Sequence, residues 1–226
     1  MDTAQNYVNA AIAALTPLAE AERAASMAAY MQDHFTFLGI PAPARRAAIK
    51  PLAKPDGEDV PAIVRRLWLR KEREYHYVAL DLLDAMAKKM DPSATIALIE
   101  DLVLENSWWD SVDGFAAIAS TILRRNVHLR DVVWRWSAHA SFWMNRLAIL
   151  HQNGWGHETD SAILFQLCRT HGAHPEFFIH KAIGWALRDY AWVNPAAVRS
   201  FVEQNRASLS PLSVREALKN VGKAGA

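Results

Sequence analysis

The 226-residue chain is predicted to be an all-α protein, a helical repeat solenoid of the HEAT-like or armadillo type with a concave binding face. Apolar residues recur at three-to-four-residue intervals almost throughout, and sustained period-two alternation is missing. Frequent breaks cut the chain into about a dozen helices with short connections. Successive helix pairs recur at roughly the period of HEAT or armadillo repeats, without further self-similarity.

The predicted helix boundaries follow from capping residues, prolines and glycines. A capping side chain accepts a free backbone N–H, and a proline at the first helical position needs no donor. Three helices are therefore expected to begin at Asp91-Pro92, Asn194-Pro195 and Ser210-Pro211. Breaks are expected at Gly39-Ile40-Pro41, Pro55-Asp56-Gly57, Asn106, Asn126, His139, Gly154-Trp155-Gly156 and Gly172. Because no low-complexity linker separates them, one domain over residues 1–226 is expected.

The composition suits a folded protein of a reducing compartment. Apolar residues make up 51% of the chain, and the single cysteine, Cys168, excludes an internal disulfide. The N-terminal residues lack a basic stretch followed by an apolar run, so neither a signal peptide nor a transit peptide is expected. No apolar run is long enough to span a bilayer. The cytoplasm is the expected location, without membrane association.

The charges are unevenly distributed, although the formal net charge is only +1. Residues 1–44 contain one basic residue against four acidic ones, whereas residues 45–73 contain nine against four. Residues 124–146 contain five arginines and one acidic residue, Asp131. Such basic segments indicate a face that binds a polyanion, although solvated helix surfaces also carry Lys and Arg.

The segment 107–115 contains the first candidate site. Ser107 and Asp110 have the spacing of a capping box, so Ser107 is the predicted N-cap and Asp110 serves the helix end. Trp109 and Asp113, four residues apart, then share one face. A carboxylate beside an aromatic ring could stabilise a developing positive charge and orient water. The alternative is a core Trp109 beside a solvent-facing Asp113.

Two later segments combine aromatic and basic residues. Arg146 could bind a backbone phosphate while Trp143, three residues earlier, supports its guanidinium plane, although Arg146 could also be an ordinary surface arginine. Lys181 and Trp185 share one face, with Arg188 two turns from Lys181. An apolar stripe elsewhere on this helix consists of Ile179, Ile183 and Leu187. Aromatic and basic residues together suit a sugar-phosphate surface, but large aromatics also fill helix interfaces.

Other kinds of site have weaker support. Cys168, His171 and His174 are spaced three apart like zinc ligands, but a fourth ligand is not evident. The lone cysteine lacks a recognisable nucleophile motif, and no phosphate-binding glycine loop is present. Neither a metal nor a cofactor is expected.

Several separated motifs, in order, resemble the AlkD-like DNA alkylation repair glycosylases, a family built from HEAT-like repeats. The resembling segments are residues 30–40, 45–46, 107–113, 143–150, 177–188 and 211–217. The resemblance assigns the catalytic aspartate to Asp113, the active-site tryptophans to Trp109 and Trp185, and the phosphate-contacting arginine to Arg146. The other expected DNA-binding residues are Tyr30, Lys181, Arg188, Arg45 and Arg46. Two departures, His180 for an expected glutamine and Trp192 for an expected polar residue, affect the expected specificity.

The resemblance implies an enzyme that hydrolyses the N-glycosidic bond of positively charged bases, chiefly N7-methylguanine and N3-methyladenine, in duplex DNA, and so initiates base excision repair. An alkylated purine already carries its positive charge, so one carboxylate without a partnered general acid can suffice. The family reads the sugar-phosphate backbone rather than a flipped base, and a monomer is expected. Two alternatives stay open: a HEAT-like scaffold that binds proteins, and a relative that binds DNA without cleaving it.

Overall fold

The computed structural model describes residues 2–222, and over these residues the fold is all-α, which confirms the predicted class. None of the described helices is long and apolar enough to cross a membrane. The first helices are α1 (Thr3–Leu15), α2 (Ala21–Tyr30), α3 (Ala42–Ile49), α4 (Val60–Trp68), α5 (Arg73–Met86) and α6 (Pro92–Val103). The later ones are α7 (Trp109–Arg125), α8 (Val132–Ser137), α9 (Phe142–Leu150), α10 (Ser161–Thr170), α11 (Phe177–Tyr190), α12 (Pro195–Gln204) and α13 (Pro211–Ala217).

The described residues form two compact units, the first ending at Leu98 and the second beginning at Ile99. In the first unit, α4 packs on α5 and α1 packs on α3 and α4. In the second unit, α9 contacts α7, α8 and α11, and α13 packs on α11. One domain over the whole chain stays a prediction.

Long-range hydrogen bonds within each unit recur at a similar sequence separation, which is 36 residues between the Leu38 N–H and the Glu74 carboxylate of the first unit. Trp155 Nε1 donates to Ser120 Oγ, 35 residues away, and Ser213 Oγ donates to the His180 carbonyl, 33 residues away. In stacked helical repeats such separations equal the repeat length, because each residue contacts its equivalent in the next repeat. The described helices are thus consistent with a helical repeat solenoid, but the period is shorter than the roughly 40–47 residues of HEAT and armadillo repeats. The HEAT assignment and the concave face stay predictions.

The three predicted helix starts at proline are confirmed. Asp91, Asn194 and Ser210 each accept the backbone N–H three residues ahead, at 2.7, 3.0 and 3.0 Å. The predicted break at Gly39 is also confirmed, with a φ of +86°. A Cβ atom at this glycine would lie 2.1 Å from the Glu20 carbonyl oxygen, so a side chain would force apart the loop and the start of α2.

The predicted capping box at Ser107 is wrong. The N-cap of α7 is Trp108, in an extended conformation and without a capping side chain. The Ser107 hydroxyl instead donates to the Val103 carbonyl at the end of α6. Asp110 does lie in the first turn of α7, where its charge complements the helix dipole. The helix nevertheless contains both Trp109 and Asp113, so their predicted placement one turn apart is confirmed.

Candidate active site

Asp113 forms a bidentate ion pair in the second unit. Its Oδ1 accepts a hydrogen bond from Arg146 Nε at 2.7 Å, and its Oδ2 accepts one from Arg146 Nη2 at 2.9 Å. Asp113 lies on α7 and Arg146 on α9, and these two helices pack together. The Arg146 side chain is 1% exposed, whereas that of Asp113 is 27% exposed. The aspartate therefore presents the accessible edge of the pair.

Arg146 is held from two further directions. Its Nη1 donates to the Phe178 carbonyl, and its guanidinium carbon lies 5.2 Å from the centre of the Trp185 ring. The prediction that Trp143 supports this guanidinium is wrong, because Trp143 is buried against other aromatic rings. Its ring centre lies 5.1 Å from that of Phe178 and 5.8 Å from that of Trp108.

The burial of Arg146 changes the interpretation of this residue. A guanidinium that is 1% exposed is not a surface arginine, so that alternative is wrong. Three of its nitrogens already donate within the protein. Direct contact with a DNA phosphate stays a prediction, while the structure gives Arg146 a clear role in orienting Asp113.

A cavity of about 280 Å³ opens beside the carboxylate. It is lined by Asp113, Ala116, Ala117, Leu150, Asn153 and Trp185. The two alanines lie three and four residues after Asp113, hence on the same side of α7, and their small side chains leave room there. Among these lining residues Asp113 carries the formal charge, so the cavity combines one carboxylate with an apolar and aromatic wall.

The burial of Asp113 disfavours the ionised form of its carboxyl group. Burial raises the pKa of this carboxyl above its ordinary value of 3.8, while the hydrogen bonds and positive charge of Arg146 act in the opposite direction. The Asp113 side chain is 27% exposed, so the alternative of a solvent-facing aspartate holds only for the edge that faces the cavity, while both oxygens are bonded to Arg146. A nearby positive charge attracts a poorly hydrated carboxylate more strongly than a hydrated one, because little water lies between the charges to screen them.

Trp185 stands apart from the core face of α11, as predicted. Ile183 and Leu187 are fully buried, whereas Trp185 is half-buried and lines the cavity. Lys181 Nζ lies 5.0 Å from the centre of the Trp185 ring, which confirms their shared face. Trp109 is half-buried one turn before Asp113, and the described cavity lining does not include it.

Lys181 and Arg188 share a partner that the sequence interpretation missed. Glu216, on α13, accepts from Lys181 Nζ at 3.1 Å and from Arg188 Nη1 at 2.9 Å. Lys219 donates to both oxygens of the same carboxylate at 2.8 Å. The available signal was the repeat period, because Glu216 follows Lys181 by 35 residues.

The other predicted DNA-binding residues belong to the first unit. Tyr30, at the end of α2, is 71% exposed, and the Arg46 side chain is 66% exposed. The Arg45 side chain is only 6% exposed and is bonded to Asp81 at 2.9 Å. DNA contacts by all three residues stay predictions, and the burial of Arg45 does not favour a direct contact.

Much of the positive charge in the two basic segments is neutralised within each unit. Several of the arginines donate hydrogen bonds to acidic residues about one repeat away in the sequence. These ion pairs are Arg45 and Arg46 with Asp81, Arg124 with Glu158, and Arg135 with Glu100. The segmental charge imbalance therefore overstates the positive charge that is free for a polyanion.

The residues considered as zinc ligands have other surroundings. Cys168 is fully buried in α10, and burial raises the pKa of its thiol strongly. His171 Nε2 is hydrogen-bonded to Ser137 Oγ at 2.8 Å. Within residues 2–222 no group of three or more His, Cys, Asp or Glu side chains could hold a metal ion.

Comparison with known proteins complements this geometry. The sequence matches the family model described as "DNA alkylation repair enzyme" over residues 11–221. A solved structure described as a predicted DNA alkylation repair enzyme from Enterococcus faecalis is 33% identical, with a TM-score of 0.83. The similarity covers 90% of this chain and 96% of that chain. The comparison with curated proteins found no match.

Proposed function

Since this chain belongs to the DNA alkylation repair enzyme family, we propose that it is a monofunctional DNA glycosylase. The proposed reaction is hydrolysis of the N-glycosidic bond of a positively charged alkylated purine, such as N7-methylguanine or N3-methyladenine, in duplex DNA. The free base leaves, and an abasic site remains for base excision repair.

The observation that carries the proposal is the Asp113 carboxylate, held by Arg146 at the edge of a cavity with an indole wall. When the glycosidic bond breaks, positive charge moves from the base to the deoxyribose. A fixed, poorly hydrated carboxylate stabilises this charge without having to reorient. It also interacts more strongly with the transition state than with the uncharged sugar of the ground state, and this difference lowers the barrier.

The bond changes require few protein groups. The alkylated purine takes the bonding electron pair and leaves as a neutral base, so no acid is needed on that side. Water adds its oxygen to the anomeric carbon, and its extra proton passes to Asp113 or to solvent. The Asp113 oxygens can accept a hydrogen bond from this water, because a carboxylate has about four lone-pair sites and Arg146 occupies two.

The neighbouring side chains take supporting roles in this proposal. Arg146 positions the carboxylate and maintains its ionised form. Trp185 contributes an aromatic wall next to the sugar and excludes water. Trp109, one turn from Asp113, is proposed to border the same sugar, as the family resemblance implies. The proposed DNA contacts are Lys181 and Arg188 in the second unit and Tyr30, Arg45 and Arg46 in the first.

We further propose that the protein acts as a monomer in the cytoplasm, bound to DNA when it works. Binding should be largely electrostatic and independent of sequence, because phosphate contacts carry no sequence information. A scaffold that binds proteins, or a relative that binds DNA without cleaving it, is the alternative. The carboxylate edge that Asp113 exposes to the cavity favours the enzyme, because a scaffold would gain stability from the ion pair but nothing from this accessible edge.

The direct test is base release by purified protein from methylated duplex DNA. The reaction mixture is filtered, and free N7-methylguanine and N3-methyladenine are quantified by mass spectrometry against a reaction without protein. The proposal predicts release well above spontaneous depurination, with an intact sugar-phosphate backbone. DNA binding without release would support a non-catalytic relative, and the absence of both would support a scaffold.

A further inference from the structure

Three cations of the second unit converge on one buried carboxylate. Glu216 as a whole residue is 3% exposed. Its carboxylate accepts hydrogen bonds from Lys181, Arg188 and Lys219 at 2.8 to 3.1 Å. The cluster carries three positive charges against one negative charge. Its partners hold the pKa of the Glu216 carboxyl below its ordinary value of 4.5, with Lys219 the largest cause. The carboxylate therefore stays ionised, and the cluster keeps a positive excess.

The packing of α13 against α11 fixes the position of Glu216. A Cβ atom at Gly184 would lie 2.4 Å from the Glu216 Cβ and 3.2 Å from the Ser213 carbonyl oxygen. Only a glycine at this position of α11 lets α13 come so close. Gly184 lies between Lys181 and Arg188 on α11, so the close approach brings the carboxylate between their two side chains.

The cations are accessible while their partner is not. The side chains of Lys181, Arg188 and Lys219 are 22%, 32% and 47% exposed, whereas that of Glu216 is 5% exposed. An ammonium has three donors and a guanidinium has five. Their hydrogen bonds to Glu216 use one donor of Lys181, one of Arg188 and two of Lys219. The cluster can therefore donate further hydrogen bonds to an anion from solution.

The cluster adjoins the candidate active site through a second cavity. This cavity of about 310 Å³ is lined by Asn153, Trp185, Arg188, Asp189, Trp192 and Asn220. It shares Asn153 and Trp185 with the cavity beside Asp113. The Trp185 indole thus belongs to both the cavity proposed for the reacting sugar and a cavity whose lining includes Arg188, a member of the cation cluster.

We propose that Lys181, Arg188 and Lys219 form a binding site for a phosphodiester group of DNA next to the reacting deoxyribose, with Glu216 as its positioning residue. This site rests on the proposed function for its ligand, and it adds Lys219 and Glu216 to the predicted contacts. Glu216 holds three long, flexible side chains together before DNA binds. The side chains therefore lose their conformational entropy when the protein folds rather than when DNA binds. This preorganisation favours a fixed alignment of the DNA.

The first test compares two variants on α13 and the turn after it. Lys219→Gln, in the turn after α13, removes a cation of the cluster, and Arg215→Gln removes an exposed cation of α13. Affinity for an undamaged duplex is measured over a range of salt concentrations. Lys219→Gln should weaken binding several-fold and reduce the slope of log K against log salt by about one, the value for one lost phosphate contact. Arg215→Gln should leave the slope unchanged.

Equal effects of the two variants would overturn the site, because they would reflect overall charge only. An unchanged slope for Lys219→Gln would overturn it as well. These measurements use undamaged DNA and need no cleavage, so they stand apart from the glycosylase test. If the wild-type protein releases no base but the slopes differ as expected, the phosphate site survives and the proposed function fails.

The second test concerns Glu216 as a positioning residue. Glu216→Gln keeps the shape but removes the charge that holds the cations, and it makes the protein more positive. Binding to undamaged duplex should be unchanged or tighter, whereas single-turnover base release should fall about tenfold because the DNA is misaligned. A rate equal to that of the wild type, in a protein with normal thermal unfolding, would overturn the positioning role.

Discussion

Each compact unit contains an aspartate that pairs with an arginine about one repeat away, and this arginine lies over an aromatic ring. In the first unit the three residues are Asp81, Arg45 and Tyr77. In the second unit they are Asp113, Arg146 and Trp185. The arginine carbon lies 4.8 Å from the ring centre in the first unit and 5.2 Å in the second. The arrangement itself is therefore a feature of the fold rather than of one site.

The surroundings of the two aspartates differ. Asp81 also accepts a hydrogen bond from Arg46, at 3.2 Å, and the charged residues that line its cavity of about 410 Å³ are a second carboxylate, Asp84, and four cations, Arg46, Lys50, Lys54 and Lys89. Asp81 is already paired with two arginines, and cations outnumber carboxylates in this lining, so an additional positive charge gains little there. The Asp113 cavity has an aromatic and small-residue lining. The ion pair stabilises both units, but only the Asp113 cavity is suited to a cationic transition state.

The largest expected effect on stability is that of Arg146→Ala. This variant leaves Asp113 without the partner that compensates its burial, and breaking such a pair costs about 3–5 kcal/mol. Because the Asp113 side chain is 27% exposed, the lower end of that range is expected. Arg46→Ala, which removes a cation that is 66% exposed, should cost about 1 kcal/mol or less. Chemical denaturation of both variants checks the difference, and equal losses would contradict this distinction between the pairs.

A smaller effect is expected at the aromatic rings. Trp185→Ala removes a wall of the proposed sugar site, and its base release should slow by the equivalent of about 1–3 kcal/mol. Tyr77→Ala removes the ring of the first unit and should leave the rate per folded molecule unchanged. Single-turnover rates and thermal unfolding are measured for both. A Trp185→Ala protein that loses stability but keeps its rate would indicate a packing role.

The smallest effect is a shift in the pH dependence. Burial raises the pKa of Asp113 above 3.8, and the proposed mechanism needs its ionised form. Base release should therefore fall as pH decreases through a value above 3.8, with the loss complete at lower pH and absent near neutrality. The single-turnover rate is measured from pH 7 downwards, with circular dichroism to verify folding. A folded protein that keeps its full rate at pH 3.8 would contradict the raised pKa.

The helices could be predicted from the sequence because their signals are local. Proline after a capping residue marks the starts of α6, α12 and α13, and the structure has all three. Ser107 was the exception, since its hydroxyl donates to the preceding helix. The capping-box spacing could not reveal that choice, because two neighbouring helices compete for one side chain.

The sequence indicated three candidate residues that the structure brings together, Asp113, Arg146 and Trp185, but not how they pair. Local spacing placed Asp113 on α7 and Trp185 off the core face of α11, but it indicated no acidic partner for either Arg146 or Lys181. Those partners lie 33 and 35 residues away in the sequence. The repeat period would have indicated both, because opposite charges one period apart meet on neighbouring repeats. Cavity-lining residues such as Asn153 follow only from the packed structure.

The most direct test of the central claim is single-turnover release of N7-methylguanine by Asp113→Asn and Asp81→Asn, with enzyme in excess. Asparagine retains the shape of aspartate and removes its charge. Asp113→Asn should be slower than the wild type by about 10²–10³-fold, the usual cost of losing a preorganised electrostatic contact. Asp81→Asn should remain within a few-fold of the wild type in folded protein. If Asp113→Asn released the base at the wild-type rate, or if both variants lost activity equally, the role assigned to Asp113 would be wrong.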